Sequence, residues 1–312
     1  MKRNQLYFIS LLLISTFLGN SKEKIVIGYI PLISQLPLVV QYESERINRH
    51  SFEMELAQYR STTALEAAIR VGAVNVAVLP SPQVISISAD EVDVVAIASI
   101  AKGGSSLFSH YESIEDFKGK VIGLTGFDSS ENFALQKVFA NYDLLAGVDF
   151  KVIGVSLSTV VEDLSKKTLD GFYLPEPYGT LAKNQELGQF LKIDGLGGLQ
   201  NDLLVTHRSF LKKNGKIFEE WLKLLKKSIQ FINADITNGN SKILSKLQKQ
   251  YLGIPEDLFL DSINNNIGKI SFSFDSVDED LLNEYYSKTQ SLKLITRSLN
   301  LDKLVHNKLG SE

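Results

Sequence analysis

Four histidines (His50, His110, His207 and His306) and no cysteine bound the chemistry open to this 312-residue chain. Without cysteine there are no disulfides, zinc–thiolate sites or thiol catalysis. The histidines are scattered, without metal-ligand spacing. The chain has no nucleophile elbow, no Walker loop and no GxGxxG after a strand. KGGSS, from Lys102, follows VVAIASIA and leads into another loop, so it reads as a glycine-bearing crossing between two units. What remains are segments rich in Ser, Thr, Gly and Gln: PLISQLP, RSTT, LPSP, KGGSS, GFDSS, VSLST and LPEPY. Such residues suit hydrogen bonding to a small polar or anionic ligand at helix N-termini, where amides are unpaired and the dipole is positive. The residue types favour binding over catalysis.

Two proline corners punctuate the elements that must position these segments. VAVLPSPQV ends one apolar run at Pro80, and GFYLPEPYG ends another at Pro175. Proline cannot donate to a sheet ladder, so each strand stops there, and each corner is expected to be stiff and exposed. The two prolines are 95 residues apart, and that offset aligns more than prolines. KIVIGYI falls on GKVIGLT, with Gly28 on Gly123, and Asn75 falls opposite Asp170. Each unit reads strand, helix, strand, helix, strand. Ser61, Thr62 or Thr63 caps the first unit's helix, with Thr63 and Glu66 spaced as a capping box, and Asp128 with Glu131 forms a similar box in the second. Alternating strands and helices predict an α/β fold of two lobes, each a mainly parallel sheet flanked by helices.

From about Ser209 the pattern is helical. Ile217, Trp221, Leu224, Leu225, Ile229 and Ile232 share one face, with lysines opposite as a solvated face. These helices must pack on a lobe.

Composition fits a globular protein: 44% hydrophobic, 22% charged, and a net charge of -3 that gives no electrostatic case for nucleic acid. The N-terminus differs. Lys2 and Arg3 precede an apolar run from Leu6 to Leu18, too short for a typical membrane span, followed by small residues. That pattern predicts a signal peptide over 1–21, with a mature start near Lys22, the alternative being an uncleaved anchor. Asn20 stands where a lipidated cysteine would have to be, so the expectation is an exported, unlipidated protein.

Several stretches carry a family resemblance: KIVIGYIPLISQLPLVV, ALEAAIRVGAVNVAVLPSPQVI, SIEDFKGKVIGLTG and LDGFYLPEPYGTLA. Together they resemble the periplasmic solute-binding proteins of ABC importers that handle nitrate, aliphatic sulfonates, taurine and thiamine-pyrimidine precursors. The resemblance implies a two-lobed clamshell with crossings near Ala101–Ser105 and Leu199–Val205. Lobe I would be 22–102 plus 205–312, carrying the C-terminal helices, and lobe II 103–204, with the ligand between them. Carried over by position, it implies ligand contacts from Ser34 and Gln35 after the first strand, from Ser61 and Thr62 at a helix start, and from Ser81 and Gly104. Ser129, Glu176 and Tyr178 would face them from the second lobe. The Pro-x-Pro corners would be matching lips of the cleft. Glu176 either recognises an amine or ring N–H, as in taurine or an aminopyrimidine, or braces its own loop.

The implied partners are a small-molecule ligand, an ABC permease and its ATPase, with no cofactor and a monomeric, extracytoplasmic state. Where many relatives have A-x-x-x-G-x-F, this chain has QYESERINRHSF, so contacts from that helix are not carried over. The rival is an enzyme on the same fold, of menaquinone-pathway or thiamine-pyrimidine type. The export signal opposes the first. The lack of a Cys-rich motif or clustered histidines opposes the second.

Overall fold

The structure, a computed structural model, describes residues 22–193, 201–239, 241–265, 267 and 269–306. The expected signal peptide and the beginning of the expected return crossing at Leu199 lie outside them. The first unit runs β1 (Glu23–Tyr29), α1 (Leu36–Glu45), β2 (Phe52–Gln58), α2 (Thr62–Arg70), β3 (Val76–Pro80), α3 (Ser81–Ala89) and β4 (Val94–Gly103). The second runs β5 (Ser105–Ser109), β6 (Val121–Leu124), α4 (Ser130–Ala140), β7 (Lys151–Gly154), α5 (Val160–Ser165), β8 (Gly171–Pro175), α6 (Tyr178–Asn184) and β9 (Gln189–Leu191). There follow β10 (Asn201–His207), α7 (Arg208–Thr237), α8 (Lys242–Tyr251), α9 (Glu256–Ile263), β11 (Ile270–Asp275), α10 (Glu279–Ser291) and α11 (Leu301–Leu304).

The strands form two sheets, ordered β11-β4-β10-β3-β1-β2 and β7-β6-β8-β5-β9. In the first, β1 to β4 run one way and β10 and β11 oppose them. In the second only β5 runs against the rest. The chain leaves the first sheet at Gly103 and enters the second at Ser105. Gly103 (φ 71) and Gly104 (φ 84) make that passage in left-handed backbone that favours glycine. It is back in the first sheet by Asn201, which pairs with Lys102 of β4.

The 95-residue offset is written into the atoms. The Val26 N–H donates to Asn75 Oδ1 at 2.8 Å, and the Val121 N–H donates to Asp170 Oδ2 at 2.9 Å. Ile27 pairs with Val76 and Ile122 with Gly171, again 95 apart on both sides. A Cβ on Gly28 would lie 2.4 Å from Leu65 and 3.1 Å from Val74; one on Gly123 would lie 2.7 Å from Val155 and 3.0 Å from Leu169. Each glycine therefore lets its strand approach the same packing layer of its own unit. One local solution, a side-chain carboxamide or carboxylate closing the strand edge, is used twice.

The C-terminal helices cover the first sheet. Phe218, Trp221, Leu225, Ile229 and Ile232 of α7 are buried in one cluster with Leu38 and Val39 of α1 and Val95 and Ile97 of β4, and Ile217 packs against it. At roughly 1.5–3 kcal/mol per buried large apolar side chain, this face anchors the helix. On the other face α10 packs on α3, with Leu282 and Tyr285 buried beside Val84 and Ile85.

Candidate functional site

β3 and β8 both end on their prolines, Pro80 opposite Asp202 of β10 and Pro175 opposite Ser105 of β5. Each corner then feeds a helix, α3 at Ser81 and α6 at Tyr178. The corners are not exposed as expected: Pro80, Ser81, Pro82, Pro175, Glu176 and Pro177 are all buried. The reason is tertiary, since each strand end meets the opposite sheet's elements instead of solvent.

Between the two sheets lies a cavity of about 40 Å³, lined by Pro80 and Pro175 together. Ser34 and Thr62 reach it from the first unit, Thr125 and Glu131 from the second, and Gly104 and Ser105 from the passage between them. Asp202 reaches it from β10. The lining is hydroxyl-rich and acidic, and no Lys, Arg or His belongs to it among the described residues.

Of the nine candidate residues, Ser34, Thr62 and Gly104 line this cavity. The other six do not belong to its lining. Gln35 is buried, accepting from the Ile30 N–H at 3.1 Å and donating to the Val78 carbonyl at 3.3 Å. Ser61 caps α2, accepting from the Ala64 N–H at 3.1 Å. Ser129 caps α4, accepting from the Asn132 N–H at 3.2 Å while its hydroxyl donates to Gly126 O. Ser81 is fully buried at the start of α3. Tyr178 packs between core residues of both sheets. Neither expected capping box forms: Glu66 pairs with Arg70 at 2.7 Å, and Asp128 accepts from Gln83 Nε2 at 3.1 Å.

Glu176 makes hydrogen bonds of the bracing kind, one of them within its own corner. Only 1% exposed, its carboxylate accepts from Ser106 Oγ (3.0 Å), the Thr180 N–H (3.1 Å) and Asn265 Nδ2 (2.9 Å). Burial raises its pKa, and these donors pull the other way. These three bonds tie the Glu176 corner to β5 and to the segment after α9.

Two carboxylates missed by sequence reasoning do face the cavity. Glu131, in the first turn of α4, accepts from Ser105 Oγ at 3.0 Å, and burial pushes its pKa up. Asp202 has no side-chain hydrogen-bond partner among the described residues, and burial followed by the Glu131 charge raises it to about 7. The Tyr285 hydroxyl is raised by burial and then by both acids, so all three feel one another. Glu131 carried a sequence signal, but its spacing matched a helix cap. Asp202 carried one too: an aspartate opening the apolar strand DLLV.

Contacts between the two sides hold them together. Gln83 Nε2 bridges Thr62 Oγ1 (3.3 Å) and Asp128, while its buried Oε1 has no donor. Phe133 of α4 lies in the first side's core cluster, edge-on to Tyr285 with ring centroids 5.4 Å apart. Lys137 pairs with Glu284 at 2.7 Å, and Asn184 donates to Asp261 at 3.1 Å. Among the described residues no group of three or more His, Asp or Glu could hold a metal ion.

Comparison with known proteins agrees with this architecture. A family model described as the NMT1-like family matches residues 19–247. The ligand-binding component of an ABC-type import system from Staphylococcus aureus, solved with zinc bound, superposes with TM-score 0.78 at 17% identity, covering 93% of this chain and 98% of that one. The periplasmic nitrate-binding protein NrtA from Synechocystis PCC 6803 gives 0.77 at 13%, covering 92% and 86%. The alkanesulfonate-binding protein SsuA from Xanthomonas axonopodis pv. citri, bound to MOPS, gives 0.74 at 14%, covering 91% and 98%. The fold is thus that of the two-lobed periplasmic binding proteins. Among curated sequences, the bicarbonate transport ATP-binding protein CmpC of Synechococcus elongatus is 21% identical over 192 residues, 54% of this chain. The chain spans only 29% of that relative's length.

Proposed function

The chain belongs to the NMT1-like family, and from that premise we propose that it is the extracytoplasmic solute-binding component of an ABC importer. It would capture a small polar solute between the two expected lobes, 22–102 with 205–312 and 103–204, then present it to a permease driven by an ATPase. The observation that carries this reading is the cavity between the sheets, lined from both sides at the ends of β3 and β8. In open α/β sheets ligands bind outside the carboxyl ends of strands. Export fits the basic end and short apolar run of residues 1–21, and a monomer suits a protein that opens and closes.

The test is a thermal-shift screen over small solutes followed by small-angle scattering. A ligand at 100 times its dissociation constant adds about 2.7 kcal/mol of stability, and it should compact the particle as one lobe turns on the other. Stabilisation without compaction would count against a carrier.

The paired acids favour one second reading, an enzyme on this fold, because two carboxylates with raised pKa values can share acid–base work. Chemical conversion of a bound solute, followed by mass spectrometry, separates the two.

A further inference from the structure

We propose that the cleft selects the ammonium end of a small organic cation, held between Glu131 on one side and Asp202 on the other. The inference rests on the solute-binding reading above and names the ligand class for that site.

The cavity supplies acceptors and lacks cations. Glu131 comes from the second unit and Asp202 from a strand of the first sheet, so the two carboxylates converge on it from opposite sides. Asp202 lines the cavity with no side-chain hydrogen-bond donor among the described residues, so its carboxylate is available for a ligand that donates. Ser34 and Thr62 add hydroxyl oxygens. A primary ammonium brings three donors and one positive charge, which matches two carboxylates and a hydroxyl.

A nitrate or sulfonate fits worse. It would meet two acids with no basic side chain in the described lining. The positive end of α4, the usual attraction for an anion, is already answered by Glu131 in its first turn. A bare hard metal ion wants about six to eight oxygen ligands, and no three-residue metal cluster occurs among the described residues. Size restricts the rest of the molecule. A water needs roughly 10–15 Å³ of such space, so about 40 Å³ holds an ammonium with a short tail when the lobes are together.

Isothermal titration calorimetry at pH 8 and fixed ionic strength tests this with methylammonium, ethanolamine, taurine, methanesulfonate, nitrate, calcium chloride and zinc chloride. Methylammonium or ethanolamine should bind the wild type. Glu131→Gln and Asp202→Asn should each weaken that binding by about tenfold to a hundredfold, with unfolding midpoints measured on the same samples. The inference is overturned if only the anions or only the metal salts bind, if no amine binds, or if amine binding ignores both substitutions. Amine binding without compaction would instead keep the inference and remove the carrier reading.

Discussion

Replacing Asp202 by Asn should change how closure of the cleft depends on pH. In the closed form burial and the Glu131 charge lift Asp202 from 3.8 to about 7. In an open or unfolded chain it returns toward its ordinary value. Between those limits the closed form holds a proton that the alternatives release. Closure is therefore most favourable below about pH 4 and loses support as pH rises to about 7. Three units at 1.36 kcal/mol each make the total about 4 kcal/mol, of which about 2–3 kcal/mol falls between pH 5 and 8. The groups facing Asp202 are Glu131 from α4 and the Tyr285 hydroxyl from α10, and Ser105 is bonded to Glu131. Glu131 shifts in the same direction, so the variant keeps a residual slope of the same sign. The assay is urea unfolding and small-angle scattering of ligand-free protein at pH 5, 6, 7 and 8. Wild type should lose stability or open as pH rises, and Asp202→Asn should lose at most half as much. Superimposable profiles for the two proteins would refute the argument.

Other perturbations separate the scaffold from the site. Glu176→Gln breaks charge-assisted bonds to Ser106, Thr180 and Asn265, so calorimetry should show about 1–3 kcal/mol of lost stability, equally with every ligand. A loss confined to amine ligands would return Glu176 to the binding site. Gly28→Ala and Gly123→Ala should each cost about 1–3 kcal/mol of unfolding free energy measured by urea titration, because each added methyl meets a side chain of its own unit at 2.4 or 2.7 Å. Phe133→Ala removes a ring that crosses from α4 into the first side's core, a truncation worth about 3–5 kcal/mol when buried. Its effect should appear as a larger radius of gyration in scattering, while Lys137→Ala, at a half-exposed ion pair, should leave that radius unchanged and cost less than about 1 kcal/mol of stability in urea unfolding.

The duplicated units were legible because every cue was local. Apolar runs ended by proline, a glycine in each first strand and a polar residue before each third strand recur at one offset, and the backbone uses them in the same way both times. Glu131, Asp202 and Glu176 were legible only as residue types. Glu131 sits where a capping carboxylate sits, yet Ser129 does the capping and Glu131 turns to Ser105 and the cavity. Glu176 looked free to meet a ligand, yet Asn265, a residue distant in sequence, takes up part of its carboxylate.

By itself the sequence determined two repeated α/β units, a crossing at paired glycines and a helical tail with one apolar face. Periodicity, proline and glycine act over a few residues, so their consequences can be read along the chain. Only the tertiary structure decided which acids face the cleft. Glu131 and Asp202 belong to different sheets' surroundings, and their charges matter because packing the two sides together removes water from between them. Desolvation and the meeting of charges depend on distances across that gap, and no spacing along the chain encodes them.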